Sequence, residues 1–320
     1  MNKKITISGT SGYLGGMLAD EFSRENDVYK LRRDQINNVT KIKFSELNNL
    51  EIDLSLLKIL KKTDIFIHSA GLSSYKCFDN PDDALSVNCS DTLKMFKVCQ
   101  ILNVKLFIYF SSIHVYGMDY EGEISENFPH NNNHPYPASK SLTEKLLNYY
   151  HQSKSTKLLI LRLSNVYGPS SNKNPQCWEL FANNICLQAA VQGKIILRSN
   201  PCIERDFISR SFFITSIKNL INILLLQKDN SALTLNLVSG NSISLEEMAF
   251  EIQKIYKNIF NKNIIIESIP KSPINKFYFS NKALKDFLKY ELSIDYNKDL
   301  ENLITYCFKN IELIKPYLKN

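Results

Sequence analysis

The stretch KITISGTSGYLGG, residues 4–16, determines how the first part of the chain is expected to fold. Its β-branched run at 4–8 predicts a strand, and Gly9, Gly12 and Gly15 follow where an amphipathic helix over 13–24 is predicted to begin. A strand that turns into a helix over glycines leaves backbone N–H groups at the helix N-terminus, where the helix dipole favours an anion. Glycine also permits the tight turn and the close approach of a pyrophosphate. The stretch therefore predicts a dinucleotide site.

Apolar runs alternate with helical patterns through the rest of the first half. Further strands are predicted at 27–31, 64–70, 105–112 and 157–164, and further helices at 82–102 and 137–151. Their strands are continuous apolar runs, as burial on both faces of a parallel sheet requires. The pattern predicts an α/β fold with a Rossmann-type doubly wound parallel sheet.

The order loosens after Pro169. Helices are predicted near 177–192, 214–227 and 244–257, and strands at 194–198, 233–238 and 263–268. We expect residues 1–168 to form the dinucleotide-binding domain. Residues 169–320 are expected to form mainly a smaller substrate-binding lobe, with segments at about 205–240 returning to the Rossmann sheet.

Composition narrows the class of partner. The 320 residues are 44% hydrophobic, enough for a large core, and 39 Lys and Arg against 32 Asp and Glu give a net charge of +7. These charges are spread along the chain, and the sequence contains no recognised nucleic-acid module. We therefore expect a positive surface that attracts phosphorylated small molecules, and no nucleic-acid partner.

Cysteine and histidine spacing predicts neither disulfides nor a metal site. The seven cysteines form no Cys-x-x-Cys pair and are odd in number, which favours reduced thiols in a cytosolic protein. Of the five histidines, His130 and His134 are four residues apart, and no Cys-x-x-Cys pair accompanies them, so no zinc site is expected. The most apolar run, 212–226, is interrupted by Lys218 and Asn219 and is too short to span a bilayer. A cytoplasmic location without membrane attachment is expected.

Several motifs occur in the order that one protein family has them. The glycine triplet is followed by EIDLS (51–55), HSAG (68–71), SVNCSDTLKM (86–95), FSSIHVYG (110–117), Tyr136-x-x-x-Lys140, LRLSNVYGP (161–169), RDFI (205–208) and LVSGNSISLEEMA (237–249). Most of the chain in this way resembles the extended short-chain dehydrogenase/reductase family of the NAD-dependent epimerase/dehydratase type. The best-known members of that family act on nucleotide-linked sugars.

The resemblance implies a set of cofactor contacts. They are Gly9, Ser11, Gly12, Tyr13, Leu14, Asp53, Leu54, Ala70, Gly71, Asn88, Tyr136, Lys140 and Val166. Asp53 and Leu54 would contact adenine, the HSAG turn would pass under the cofactor, and Lys140 would bind the nicotinamide ribose.

A Tyr-x-x-x-Lys spacing also occurs at Tyr150/Lys154 and at Tyr278/Lys282, so spacing alone does not identify the catalytic pair. Family members add a serine or threonine at the end of the strand 105–112. Ser112 lies 24 residues before Tyr136, whereas the same offset from the other two tyrosines reaches Glu126 and Lys254. The resemblance therefore implies Ser112, Tyr136 and Lys140 as the catalytic residues.

Proton transfer by Tyr136 needs help from neighbouring groups, because a free tyrosine has a pKa of about 10 and exchanges protons poorly near neutral pH. Lys140, one helical turn beyond Tyr136, is expected to lower that pKa, as is the charge of an oxidised nicotinamide. Pro137 suits the first helical position, so Tyr136 would open its helix. Ser112 would hydrogen-bond the reacting oxygen.

Cofactor choice depends on the end of the second strand, which reads YKLRRDQ. Arg32 and Arg33 favour NADP(H), because arginine binds a 2′-phosphate through two parallel hydrogen bonds. The alternative is that both are surface charges and Asp34 takes the acidic role of an NAD(H) site.

Reaction type depends on the residues after Ser112. Dehydratases of the family have Asp-Glu there, whereas this chain has Ile113 and His114, and His114 is expected on a buried turn with a structural role. The favoured reaction is NADPH-dependent 4-keto reduction of an NDP-4-keto-6-deoxyhexose, and the alternative is NAD-dependent 4-epimerisation of a UDP-glucose or UDP-GlcNAc type of sugar. A non-catalytic dinucleotide-binding relative is a second alternative.

Asn165 and Arg205 match positions that hold the nucleotide sugar in relatives, although a salt bridge between Arg205 and Asp206 is an alternative for the arginine. The chain continues after RDFI with SRSFF, where relatives have an acidic pair, so the substrate lobe differs in detail. The resemblance also implies a homodimer formed through helices 82–102 and 137–151.

Overall fold

A computed structural model describes residues 2–31, 35, 54–117, 121–131, 133–151, 156–172, 175–230, 232–290 and 296–318. Four residues considered for the cofactor site, Arg32, Arg33, Asp34 and Asp53, lie outside the described residues.

Strands in the described part of the chain are numbered along the sequence. They are β1 Lys4–Ser8, β2 Asp27–Leu31, β3 Ile65–His68, β4 Leu106–Ser112, β5 Gly122–Ile124, β6 Lys157–Leu163, β7 Asn165–Tyr167, β8 Lys194–Leu197, β9 Glu204–Ser209, β10 Ala232–Leu237, β11 Ser242–Ser244, β12 Ile265–Ser268 and β13 Phe277–Phe279.

Helices are numbered in the same way. They are α1 Tyr13–Phe22, α2 Leu54–Leu60, α3 Ser74–Asp79, α4 (the consecutive segments Pro81–Asp83, Ala84–Asp91 and Thr92–Ile101), α5 Pro135–His151, α6 Phe181–Gln192, α7 Arg210–Leu226, α8 Leu245–Phe260, α9 Lys282–Leu288, α10 Tyr296–Lys309 and α11 Ile311–Ile314.

Two compact units share the chain. The first comprises Met1–Asp119, Glu126–Leu163 and Ile217–Asn236, and the second comprises Tyr120–Ser125, Ser164–Ser216 and Leu237–Asn320. The predicted division at residue 168, with a substrate-binding role for the second part, stays a prediction.

The first unit is built on a six-stranded sheet in the order β10-β6-β4-β3-β1-β2. The pairs β1–β2, β1–β3, β3–β4 and β4–β6 all run parallel, and β3, β4 and β6 are buried along their whole length. These findings confirm the predicted doubly wound α/β fold. Because the chain moves outward from β1 in both directions, the carboxyl ends of β1 and β3 mark the position where such sheets bind ligands.

The helix predicted over 82–102 departs from regular geometry in the middle. Residues 84–91 form a π-helix between two α-helical segments of α4. In a π-helix the carbonyl groups bond five residues ahead, and such segments often occur at functional sites. The carbonyl of Asn88 accepts hydrogen bonds from the hydroxyls of Thr92 at 2.8 Å and of Thr143, on α5, at 3.1 Å.

The second unit contains small sheets. β9 lies between β11 and β7, β12 pairs in parallel with β8, and β13 pairs in parallel with β5. Of the 205–240 segment expected to return to the Rossmann sheet, β10 joins that sheet, whereas β9 does not. The reason is that β9 uses its two edges to bond β7 and β11. A capping box of Ser244 and Glu247 begins α8.

All seven cysteines are free thiols. Cys77, Cys89 and Cys99 are buried in the first unit, Cys177, Cys186 and Cys307 are buried in the second, and Cys202 is half-buried. Within the described ranges, no helix combines the length and apolar character needed to cross a bilayer. The same ranges hold no group of three or more His, Cys, Asp or Glu placed to bind a metal ion.

Candidate active site

The turn between β1 and α1 approaches the turn after β3 very closely. Gly9 has φ +71°, and a Cβ added to it would lie 2.6 Å from the backbone nitrogen of Ala70. Any side chain there would push the two turns apart, so glycine is required both for the left-handed backbone and for the contact. The structure thus places the two predicted cofactor-binding turns side by side.

Helix α1 begins at Tyr13 with Gly12 as its N-cap, and that residue has no side chain to cap the first-turn amides. Gly12 donates its own N–H to the carbonyl of Gly9 at 2.9 Å, which closes the turn. Ser11 is exposed beside it, and Leu14 is half-buried. The helix dipole and the glycine N-cap fit a pyrophosphate group, as the sequence predicts.

His68, at the end of β3, connects this turn to α4. Its Nδ1 lies 3.0 Å from the hydroxyl of Ser8, and its Nε2 lies 3.0 Å from the hydroxyl of Thr92. Because Thr92 donates its hydroxyl proton to Asn88, it can only accept from the ring, so His68 carries its proton on Nε2. Ser8 then donates to Nδ1 and accepts the N–H of Ala70 at 3.3 Å. Burial lowers the pKa of His68 to about 3, so the ring stays neutral.

Three predicted catalytic residues meet at the carboxyl end of β4. Ser112 ends that strand, and its side chain hydrogen-bonds Tyr136 on α5. One turn along α5, the Nζ of Lys140 donates to the carbonyl of Phe110 at 3.0 Å and lies 5.9 Å from the centre of the Tyr136 ring. Helix α5 starts at Pro135 rather than Pro137, and His134 holds its first turn by accepting the N–H of Tyr136 at 3.1 Å.

The expectation that Lys140 lowers the pKa of Tyr136 below its ordinary value is wrong. Burial raises the pKa of Tyr136 to about 12, although the hydrogen bond with Ser112 lowers it in part. Burial also lowers the pKa of Lys140 to about 8, which Cys77 and Glu144 raise in part. Desolvation dominates because the ammonium bonds to the Phe110 carbonyl and not to the phenol. Tyr136 is therefore a protonated phenol near neutral pH.

The turn after β3 continues the site from Ala70 to Gly71. A Cβ at Gly71 would lie 3.0 Å from Oδ1 of Asn88 and 3.6 Å from Nζ of Lys140, so this glycine leaves the space beside the lysine open. Oδ1 of Asn88 accepts the N–H of Leu72 at 2.7 Å and so holds the turn in place. These residues fit the underside of a cofactor, as the resemblance implied.

Cys77 was missed from the sequence. Its sulfur accepts a hydrogen bond from Asn88 at 3.4 Å, and its charge, when ionised, would act on both Tyr136 and Lys140. Burial raises the pKa of this thiol, so it is neutral at physiological pH. No spacing rule marks it, because α3 brings it to the site from 59 residues before Tyr136.

The expectation for His114 needs correction. His114 is exposed, not on a buried turn, because Ile113 takes the inward position at 3% exposure and the histidine follows on the outer side of a 3₁₀ turn. Its N–H donates to the side chain of Ser112 at 3.2 Å. Leu54 begins α2.

Of the two rival Tyr-x-x-x-Lys pairs, Tyr278/Lys282 lacks the geometry of a catalytic pair. Tyr278 lies on β13 and Lys282 begins α9, so no shared helix aligns them. Tyr150 lies on α5 near its end, and Lys154 is outside the described residues.

Asn165, Val166 and Arg205 lie in the second unit. Val166 is buried in β7, and the side-chain amide of Asn165 donates to the carbonyl of Asp206 at 2.8 Å. The guanidinium of Arg205 lies 5.9 Å from the ring of Phe181. No ion pair joins it to Asp206 among the described residues, since neighbours on a strand point to opposite faces and this buried carboxylate accepts from Ser239 and Gly240.

Comparison with known proteins places the chain among enzymes of one family. A model of the NAD dependent epimerase/dehydratase family matches residues 5–209. The uncharacterized UDP-glucose epimerase YtcB of Bacillus subtilis is 26% identical over 184 residues, 52% of this chain and 57% of that protein. The chain spans about half the length of the first curated relatives that it matches, with coverages of 57%, 49% and 53%.

Solved structures show the same fold at low identity. A UDP-N-acetylglucosamine 4-epimerase from Methanobrevibacter ruminantium M1, in complex with UDP-N-acetylmuramic acid, matches with a TM-score of 0.77 at 22% identity and covers 97% of this chain and 100% of its own. RMD from Pseudomonas aeruginosa, complexed with NADPH, matches with a TM-score of 0.75 at 20% identity and covers 97% and 99%. At these identities the likeness shows the fold alone.

Proposed function

The chain belongs to the NAD dependent epimerase/dehydratase family, and from that premise we propose that it transfers hydride at carbon 4 of a nucleotide-linked hexose. One observation carries the proposal. The Ser112 side chain bonds the Tyr136 phenol at the end of β4, and Lys140 lies one turn along α5 beside the open space at Gly71. A protonated phenol and a second hydroxyl that converge on one point suit a reacting sugar oxygen.

Each residue has a distinct role in the favoured direction, the reduction of a 4-keto sugar. The nicotinamide, when bound, supplies the hydride to carbon 4. The carbonyl π electrons move to oxygen, where Ser112 hydrogen-bonds the developing alkoxide and Tyr136 gives up its phenolic proton to it. Solvent then reprotonates Tyr136. Lys140 supplies positive charge that stabilises the transient phenolate.

The choice between reduction and epimerisation depends on the cofactor. A protonated phenol can donate to a keto oxygen, whereas an epimerase must first take a proton from the sugar hydroxyl. Arg32 and Arg33 add support for NADP(H) from the sequence. The epimerase names of relatives favour the other outcome, NAD-dependent 4-epimerisation, in which the bound oxidised nicotinamide would have to lower the pKa of Tyr136.

Further parts of the proposal concern the second unit and the assembly. Asn165 and Arg205 would hold the nucleotide sugar, with Arg205 bonding a phosphate oxygen. The protein would act in the cytoplasm as a homodimer. A dinucleotide-binding relative without catalysis stays the second alternative, and the Ser112–Tyr136 hydrogen bond argues against it.

Turnover separates these functions. Purified protein is given NDP-4-keto-6-deoxyhexoses with NADPH or NADH, and separately UDP-glucose and UDP-GlcNAc without added cofactor. Oxidation of NADPH on the first panel, with a new C4 alcohol detected by mass spectrometry and NMR, supports reduction. C4 epimers formed on the second panel with co-purifying NAD would replace reduction by epimerisation.

Tyr136→Phe tests the catalytic role of the phenol, because it removes one oxygen and keeps the ring. It is expected to abolish turnover and to leave the dissociation constant of the cofactor within about threefold, since the phenol is not a pyrophosphate contact. An active Tyr136→Phe protein would contradict the proposed mechanism. If the wild type binds cofactor but turns over neither panel of substrates, the result supports the alternative of a dinucleotide-binding protein without catalysis.

A further inference from the structure

A buried ion pair connects two elements behind the catalytic residues. Arg162 on β6 and Glu144 on α5 are 6% and 3% exposed. The Nε of Arg162 lies 3.2 and 3.1 Å from the two carboxylate oxygens, and its Nη2 lies 2.7 Å from Oε2, a forked contact. A buried pair of this kind contributes little net stability after desolvation. Its geometry is therefore the feature to explain.

The other terminal nitrogen of Arg162 reaches the turn that follows Ser112. Nη1 donates to the hydroxyl of Tyr116 and to the carbonyl of Glu126, both at 2.8 Å. Tyr116 ends the 3₁₀ turn that begins immediately after Ser112, and its hydroxyl donates onward to Asn236 at 2.6 Å. Its ring also lies 5.0 Å from the guanidinium.

Glu144 lies on the same face of α5 as the catalytic pair. Tyr136, Lys140 and Glu144 are spaced by four residues, which places them one above another along the helix. Arg162 itself pairs with Ser111 in the β4–β6 register, one residue before Ser112. One guanidinium therefore bonds the helix that carries the phenol and the turn that follows the serine.

We propose that Arg162 is a positioning residue, which sets the separation between the Ser112 hydroxyl and the Tyr136 phenol by holding α5 and the turn after β4 at a fixed distance. The inference rests on the proposed function, because it takes Ser112 and Tyr136 to act on the same sugar oxygen. A planar guanidinium suits this task, since its donors diverge in fixed directions, whereas a lysine would present a single point of attachment.

The charge of Glu144 could affect catalysis through Lys140, and the test must separate this electrostatic effect from the positioning effect of Arg162. The charge of Glu144 raises the pKa of Lys140, whose other charged or titratable neighbours include Cys77 on α3, Tyr109 on β4, Tyr136 on α5 and His68 on β3. Replacing the glutamate would change charge and geometry together. Glu144 in turn faces Arg162 on β6, Tyr109 on β4 and His130 of the loop before α5. Variants that keep every charge are therefore preferred.

Two such variants are Arg162→Lys, which keeps the charge and loses the fork, and Tyr116→Phe, which keeps the ring and loses one hydroxyl. Each is made in the wild type and in Ser112→Ala, and kcat, KM and the cofactor dissociation constant are measured. In the wild type, kcat is expected to fall by about 10- to 100-fold, as for small misplacements of reacting groups. KM, cofactor binding and the pH at which kcat declines are expected to stay close to wild type, since no charge is lost.

The Ser112→Ala background makes the readout specific. If Arg162 acts by placing Ser112 against Tyr136, its replacement has little left to misplace once the serine is gone, and the loss shrinks to about threefold or less. Equal fold-losses in both backgrounds would overturn the inference and leave the proposed function intact. Unchanged kcat in Ser112→Ala alone would overturn the proposed function, and the inference with it. If Arg162→Lys does not fold, Tyr116→Phe completes the same cycle.

Lys157 provides the matched control. It is a cation on the same strand, 8% exposed, and it donates to the carbonyls of Leu224 and Gln227 at the end of α7, away from α5. Lys157→Met is expected to lower the midpoint of urea unfolding and to leave kcat within about twofold. A kcat loss in Lys157→Met as large as in Arg162→Lys would show that the effect is general destabilisation, which also overturns the inference.

Discussion

Replacing Lys140 with methionine is expected to make the protein more stable at neutral pH while it removes activity. Burial lowers the pKa of Lys140 from 10.5 to about 8. A shift of about 2.5 units corresponds to about 3 kcal/mol of unfavourable free energy for the buried ammonium. Methionine has a similar length and no charge, so it avoids this cost. The carbonyl of Phe110 loses its donor, which offsets about 1 kcal/mol, and a net gain of about 2 kcal/mol remains.

The gain should depend on pH with a defined sign. Because the pKa of Lys140 is lower in the folded state, the unfolded chain holds a proton that the folded chain has released between pH 8 and pH 10.5. The free energy of unfolding of the wild type therefore rises with pH in this window, whereas that of Lys140→Met lacks this contribution. The advantage of the variant is expected to shrink by about 2 kcal/mol between pH 7 and pH 9.5.

Urea unfolding followed by circular dichroism at pH 7 and pH 9.5 measures both quantities, and the turnover assay measures the loss of function. Lys218→Met is the control, because Lys218 is more exposed and pairs with Glu21 at 2.8 Å. It is expected to change stability by no more than about 1 kcal/mol at either pH. The reasoning is refuted if Lys140→Met is less stable than the wild type at pH 7, or if its advantage is the same at both pH values.

Three further substitutions test separate features. His68→Gln should remove a pH dependence of stability, because the pKa of His68 is about 3 in the folded state and 6.5 in the unfolded state. As the pH falls between these values, the free energy of unfolding of the wild type decreases by up to about 1.4 kcal/mol per pH unit. Urea midpoints from pH 7 to pH 4 measure this decrease. Gly9→Ala should weaken cofactor binding by at least about tenfold in a fluorescence titration, since its Cβ would lie 2.6 Å from the nitrogen of Ala70. Ser244→Ala should lower the free energy of unfolding by about 1 kcal/mol and leave turnover unchanged, because it removes only the cap of α8.

Much of the fold could be predicted because its signals are local. Apolar runs bounded by turn residues predicted β1 and β2 to the residue, and the glycines after β1 predicted the start of α1. The three-residue strands β5, β7, β11 and β13 are too short to show a period, so their pairing depends on long-range contacts. The π-helix of α4 was missed for a similar reason. The carbonyl of Asn88, inside this segment, accepts from Thr143, which is 55 residues away.

The sequence indicated which residues form the candidate site, but it did not indicate their pKa shifts. The family resemblance grouped Ser112, Tyr136 and Lys140, and Glu144 could have been added, since it lies four residues beyond Lys140. The sign of the Tyr136 shift could not be read from the sequence, because it depends on how much water the folded chain excludes and on which acceptor Lys140 chooses.

Buried thiols in both units allow the unfolding of each unit to be followed separately. Alkylating reagents attack thiolates, so Cys77, Cys89 and Cys99 report when the first unit exposes its interior, and Cys177, Cys186 and Cys307 report the same for the second. A brief pulse of iodoacetamide during unfolding, read out by peptide mass mapping, would time the two groups independently. The order in which the two groups of cysteines are modified would therefore show whether the first and second units unfold together or one after the other.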